Sequence, residues 1–241
     1  MRFENKCALI TGASIGIGKA VAQQIACNGG NLVVVDMNAE GLSELKKELE
    51  SYPVEVLAYE CDVSDEKRVR EICAASLEQF GKIDILVNNA GIWRRWMPFT
   101  ETTSDMWKQY IGVNILGAMY FTHALLLQMI EREWGRIINV ASVAGVYGNA
   151  NMADYSMTKG ALIAFTKAIA KEVADKGVTV NAVSPGSVSN HQDVIEPSTL
   201  SFMNRTGTHT EMANMICFLA SDDASYVSCQ NIQVDGCRRK Q

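Results

Sequence analysis

The chain has 241 residues, 48% hydrophobic and 20% charged, with 18 Gly against 4 Pro; that is ample material for a buried core and excludes a disordered or linker-rich protein. Its 22 basic and 27 acidic residues leave a net charge of −5 with no run of like charges, so neither nucleic acid nor a membrane surface is an expected partner. Cys7, Cys27, Cys61, Cys73, Cys217, Cys229 and Cys237 are scattered and never spaced C-x-x-C, and His123, His191 and His209 do not cluster, so no metal site and no disulfide framework is expected.

From Met1 the chain passes directly into an apolar strand without the features of an export signal, and unpaired thiols fit a cytoplasmic location. Strands are predicted over Cys7–Ile10, Leu32–Val35, Val54–Ala58, Ile83–Val87, Arg136–Val140, Val178–Val183 and Ile232–Val234. Between them, Lys19–Cys27, Ala39–Glu50, Asp65–Phe80 and Ala153–Asp175 have the length and periodicity of crossover helices, and Met212–Ala220 adds another. Strand alternating with helix predicts a single α/β domain over residues 1–241, a doubly wound parallel sheet covered on both faces. Ser64 reads as an N-cap before Asp65 and Glu66, and Thr208 with Glu211 has the spacing of a capping box. Gln109–Ile130 holds no Asp, Glu, Lys or Arg, which meets the length criterion for a membrane span. Its Gln109, Asn114, Thr122, His123 and Gln128, and flanks without charge bias, predict instead a helix buried on most faces, partly against another subunit. Residues 187–207 form the longest irregular segment and are predicted to be a binding loop.

Chemistry concentrates where strands end. The first strand runs into Thr11-Gly-Ala-Ser-Ile-Gly-Ile-Gly18, so Gly12, Gly16 and Gly18 stand where strand turns to helix, and glycine there lets backbone approach a pyrophosphate held by helix N–H groups. The second strand ends at Asp36, where a carboxylate can take both hydroxyls of a ribose. Asp62 follows the third strand, Asn88-Asn-Ala-Gly91 ends the fourth, and Asn114 lies in the helical segment beyond it. Ser142 follows the fifth strand, Tyr155-Ser-Met-Thr-Lys159 opens the next helix, and Pro185-Gly186 ends the sixth strand.

In that order the motifs resemble the short-chain dehydrogenase/reductase family over nearly the whole chain, from Lys6 to Gly236. The resemblance implies a Rossmann-like sheet of seven strands and an oxidoreductase that uses a nicotinamide dinucleotide to interconvert a secondary alcohol and a ketone. It implies catalytic roles for Ser142, Tyr155, Lys159 and Asn114. It places the cofactor against Gly12, Ser14, Ile15, Gly16, Ile17, Gly18, Asp36, Asp62, Val63, Asn89, Ala90, Gly91, Tyr155, Lys159, Pro185, Gly186 and Val188. Tyr155 and Lys159 are i and i+4, so they share one helix face, and the ammonium can favour the phenolate. Moving a phenol from ~10 to ~7 takes about 4 kcal/mol of that preference. Ser142 then donates to the substrate oxygen, and Asn114 holds a water-linked proton path to the lysine. Three positions depart from the family pattern: Asn190 stands where a Thr contact to the nicotinamide is frequent, Met157 where a smaller residue is common, and Cys237 where a second glycine is usual.

Asp36 and the uncharged Ile15 predict NAD over NADP. The family's 3-oxoacyl-carrier-protein reductase, sugar-alcohol and hydroxysteroid dehydrogenase branches are not separated by these residues. A non-catalytic redox sensor is the reading from another class, and intact Ser142, Tyr155 and Lys159 argue against it. Trp93-Arg94-Arg95-Trp96, just past the fourth strand, is expected to border the cleft and to receive an anionic substrate with an apolar body. A homo-oligomer, as a tetramer, is expected from the resemblance and from the apolar Gln109–Ile130 helix.

Overall fold

The computed structural model describes residues 1–93 and 96–239. Seven parallel strands lie in the order 3-2-1-4-5-6-7: β1 (Cys7–Thr11), β2 (Asn31–Asp36), β3 (Val56–Glu60), β4 (Ile85–Asn88), β5 (Gly135–Val140), β6 (Val178–Pro185) and β7 (Asn231–Val234). Alternate side chains feed two cores. Ala8, Ile10, Leu32, Val34, Ile85 and Val87 pack with α1 (Gly16–Cys27), α2 (Ala39–Leu49) and α8 (His209–Leu219). Cys7, Leu9, Val33, Val35 and Leu86 pack on the other face with α3 (Glu66–Phe80), α5 (Gly117–Glu131) and α7 (Ala153–Val173). Each fully buried Leu, Ile or Val contributes about 1.5–3 kcal/mol, which is why these runs read as continuous apolar segments.

At the N-terminal edge of the sheet the buried Asp84 carboxylate accepts from Cys7 N at 2.9 Å and Arg132 Nη1 at 2.8 Å, which ties β1 and β4 together. The strand order reverses between β1 and β4, and the crevice at that switch point, at the carboxyl ends of the strands, is where open α/β sheets take ligands.

Several local expectations shift. β3 begins two residues later than expected, and the α3 cap is Asp65, whose carboxylate accepts from Arg68 N at 3.1 Å, while Ser64 instead donates to Asp62 at 2.8 Å. The Thr208–Glu211 capping box forms in full, and α8 starts at His209. The uncharged segment is not one α-helix: α4 (Ser104–Ile111) passes through a π-helical turn, Gly112–Leu116, into α5. Nor is it buried on most faces. Gly117, Ala118, Phe121, Leu125 and Met129 form one buried stripe, and Met119 and Leu127 are exposed. α6 (Val143–Tyr147) had no separate sequence signal. Cys73 and Cys217 are buried fillers whose thiols burial pushes up to about 12, whereas Cys27 and Cys237 are exposed.

Candidate active site

At two glycines of the turn, Gly12 and Gly18, close contacts leave no room for a side chain. Gly12 and Gly16 both have φ of +63°, a left-handed conformation that glycine adopts without steric cost. A Cβ on Gly18 would lie 2.1 Å from Gly12 O and 2.6 Å from Asn89 Nδ2, so α1 packs directly on the turn. Asn89 Nδ2 donates to Thr11 O at 2.9 Å and to Gly12 O at 2.8 Å, and Thr11 Oγ1 accepts from Asn89 N and Ala90 N, both at 3.0 Å. The ends of β1 and β4 are thereby locked to each other. Ile15, the N-cap of α1, offers no side-chain acceptor, and no acidic residue occupies the first turn. The helix presents its first N–H groups and positive dipole end to whatever lies over the turn.

Asp36 closes one side. Its Oδ2 accepts from Ser14 N and its Oδ1 from Asn38 N, both at 3.0 Å, which fixes the carboxylate at the tip of β2. A cleft of about 590 Å³ runs from there along the carboxyl edge of the sheet. Of the expected cofactor residues, Gly12, Ser14, Ile15, Gly16, Ile17, Asp36, Asp62, Val63, Asn89, Ala90, Gly91 and Val188 line it. Gly18 lies beneath the turn. Tyr155, Lys159, Pro185 and Gly186 are outside the lining, and a Cβ on Gly186 would meet Asp235 Cα at 2.7 Å, so that glycine serves the close approach of β6 to the end of β7.

The proposed proton-transfer group assembles on α7. Ser142 caps α6: its Oγ accepts from Ala144 N at 3.1 Å, which leaves the hydroxyl proton for its hydrogen bond with the Tyr155 phenol. Burial pushes Tyr155 above its usual value, and the Ser142 hydrogen bond opposes that push. Lys159, 4% exposed, donates from Nζ to Val140 O at 2.8 Å and lies 5.9 Å from the Tyr155 ring centre. Burial alone lowers the lysine to about 8. The phenol is therefore a neutral donor at pH 7, and the depression toward neutrality expected from the sequence is not supplied by the protein's own charges.

Asn114 sits in the π-helical turn, and such single-turn bulges often mark functional sites. Its Oδ1 accepts from Ile92 N at 2.8 Å, and its Nδ2 donates to Ile92 O at 3.0 Å and Thr158 Oγ1 at 3.1 Å. Thr158 Oγ1 passes on to Tyr155 O at 2.8 Å. A Cβ on Gly91, three residues past β4, would come within 3.1 Å of Lys159 Nζ and 3.3 Å of Asn114 Oδ1, so a side chain there would crowd the lysine and asparagine at the wall of the cleft.

Trp93 lines the cleft, whereas Trp96 is exposed and outside its lining. Arg94 and Arg95, the expected anion contacts, lie outside the described residues. Asn190, Ser189 and His209 line the cleft as well. Thr11, Thr158 and His209 are site residues that the sequence alone does not single out. Thr11 stood inside the glycine motif and Thr158 inside the Tyr-to-Lys motif, where their spacing could have flagged them, but His209 had no local signal. The chemistry of the whole fits a nicotinamide dinucleotide: a glycine turn beside an uncapped helix, a carboxylate fixed by two backbone N–H groups at the tip of β2, and Tyr155 with the buried Lys159 beyond.

Comparison with known proteins agrees with this geometry. The family model described as short chain dehydrogenase matches residues 6–195. The chain is 39% identical over 243 residues to the 3-oxoacyl-(acyl-carrier-protein) reductase of Thermotoga maritima, covering 98% of each. It is 35% identical to a 2-dehydro-3-deoxy-L-rhamnonate dehydrogenase (NAD(+)) of a Sphingomonas species, covering 98% of this chain and 96% of the relative. The solved structure of an NAD+-bound xylitol dehydrogenase superposes with a TM-score of 0.91 at 33% identity, covering 98% of this chain and all of that one; a levodione reductase gives 0.90 at 31%, covering 98% of both.

Proposed function

This chain belongs to the short-chain dehydrogenase family, oxidoreductases acting on CH–OH groups, and within it we propose an enzyme that interconverts a secondary alcohol and a ketone with NAD(H) in preference to NADP(H). The observation that carries the reading is the convergence of Ser142, Tyr155 and Lys159 beside the cleft that begins at the uncapped glycine turn. The bound dinucleotide supplies or accepts the hydride. The chain's residues hold the substrate oxygen and move its proton: the Ser142 hydroxyl donates toward it, and Tyr155 delivers the proton in reduction and withdraws it in oxidation. Lys159 Nζ, 5.9 Å from the ring centre, is placed to hold the dinucleotide's ribose beside the phenol, and the positive charge of the oxidised nicotinamide would add the bias toward phenolate that oxidation requires. Asn114 holds the end of β4 and the start of α7 in register around these groups.

Asp36 supports the NAD preference. Its carboxylate is anchored by two backbone N–H groups, so it cannot swing away from a 2′-phosphate, and Ile15 and Met37 beside it carry no charge to offset the repulsion. Steady-state turnover over a ketone and alcohol panel, with both cofactors, tests the reading. NADH is expected to be favoured at least about tenfold in kcat/KM, and Asp36→Ala to narrow that ratio. Equal efficiency with NADPH would reject the preference, and no hydride transfer on any substrate would favour a redox sensor. A 3-oxoacyl thioester belongs in the panel because several similar relatives are 3-oxoacyl-(acyl-carrier-protein) reductases. We place the enzyme in the cytoplasm, where its unpaired thiols stay reduced, as a homo-oligomer of four chains.

A further inference from the structure

His209 is the first residue of α8, 7% exposed, and it lines the cleft. Its Nδ1 is buried without a hydrogen-bond partner among the described residues, an unusual state for a ring nitrogen in a folded core. Its Nε2 faces the glycine turn, 3.9 Å from where a Cβ on Gly16 would stand. A proton on Nδ1 would be a buried donor with nothing to receive it, so the proton belongs on Nε2, the nitrogen turned to the cleft.

The two helix N-termini that meet here differ. α8 is closed by side chains: Thr208 Oγ1 accepts from Glu211 N at 3.1 Å, Glu211 Oε2 from Thr208 N at 2.9 Å, and Asp193 Oδ1, from the preceding irregular segment, from Thr210 N at 3.2 Å. α1 has neither cap nor acidic first turn. An anion drawn to the pair therefore settles on α1, under the imidazole.

We propose that His209 is a cofactor-binding residue whose Nε2–H donates to a pyrophosphate oxygen seated on the N-terminus of α1. The proposal rests on reading the cleft as a dinucleotide site and adds to it a side-chain donor reaching in from α8. The imidazole supplies, from the side, the directional contact that a turn built of glycines lacks. It also couples the cofactor to α8, and through the adjoining segment 187–207 to the wall of the cleft that carries Ser189 and Asn190.

NADH binding is measured by quenching of tryptophan fluorescence and competed with ADP-ribose, which carries the pyrophosphate, and with adenosine, which does not. His209→Ala is expected to weaken NADH and ADP-ribose about tenfold, the loss typical of one hydrogen bond to a charged group, and to leave adenosine within about twofold. His209→Gln, which retains a donor, is expected to recover part of the loss. Unchanged NADH affinity in His209→Ala, or an equal loss for adenosine, overturns the proposal. Should the Ala variant fail to fold, His209→Phe keeps the ring and removes the donor, and retained ADP-ribose affinity in it has the same force. A wild-type chain that binds none of the three ligands refutes the dinucleotide reading itself.

Discussion

Lys159 carries an ammonium into a place where burial is the dominant influence and lowers it to about 8, against 10.5 for an ordinary lysine. The folded chain thus holds this proton less tightly than the unfolded chain, so below about pH 8 the full desolvation cost is borne, on the order of 3 kcal/mol. As pH rises from about 8 toward 10.5 the folded state is relieved first, and this contribution to stability increases. Lys159→Met is expected to unfold at higher urea than wild type at pH 7, with the gap closing at pH 10, while turnover disappears; equal midpoints at both pH values would contradict the account. Tyr155 calls for the opposite signature. Phe keeps the edge-on contact with Tyr110, ring centres 6.4 Å apart, and removes only the proton donor. Turnover is expected to fall by about 10²–10⁴ with NADH affinity unchanged by fluorescence titration, and wild-type turnover would displace Tyr155 as the acid and base.

The glycine turn separates two kinds of conformational demand. Gly18→Ala would place a methyl 2.1 Å from Gly12 O, against backbone that Asn89 holds from the other side, so the turn must open. Loss of NADH binding and a lowered Tm are expected together. Gly81, the C-cap of α3, has φ of +71° with nothing near its would-be Cβ, so Gly81→Ala should cost about 1 kcal/mol in a urea melt and leave turnover intact. If both variants behaved alike, the cradle would be an ordinary turn. The same contrast explains what was legible beforehand. The seven strands were visible because burial on both faces selects unbroken apolar runs such as Leu32–Val35. The glycine turn, Asp36 and the Tyr–Lys spacing were visible because their chemistry is local. The π-helical turn was not, because a segment without charges gives no phase from which to see the helix widen at Gly112–Leu116. His209 was invisible because its partner surface, the start of α1, lies almost two hundred residues earlier in the chain.

At the scale of the molecule, one face lacks the cover that its composition calls for. Met119, His123 and Leu127 recur at helical spacing as exposed residues on the side of α5 away from Phe121, Leu125 and Met129. A lone exposed leucine is ordinary, but Leu127 at 64% and Met119 at 39% stand on one side of a 28-residue helical segment that has no charged residue from Gln109 to Ile130. The same segment carries Asn114 on its inner face, so whatever covers the outer face also steadies the end of β4. A second copy of the chain would offer an identical stripe, and a two-fold axis would bring the two together without leaving a new open surface, so self-association through this face is the expected outcome. Leu127→Glu puts a charge at the centre of that contact. Light scattering is expected to show a multimer for the wild type at micromolar concentration and a smaller species for the variant. Turnover should drop with it, because α5 loses its outer support, while NADH affinity, set across the sheet at α1, holds. A wild-type monomer, or a variant that assembles and turns over unchanged, would mean that this stripe is not the surface through which copies of the chain associate.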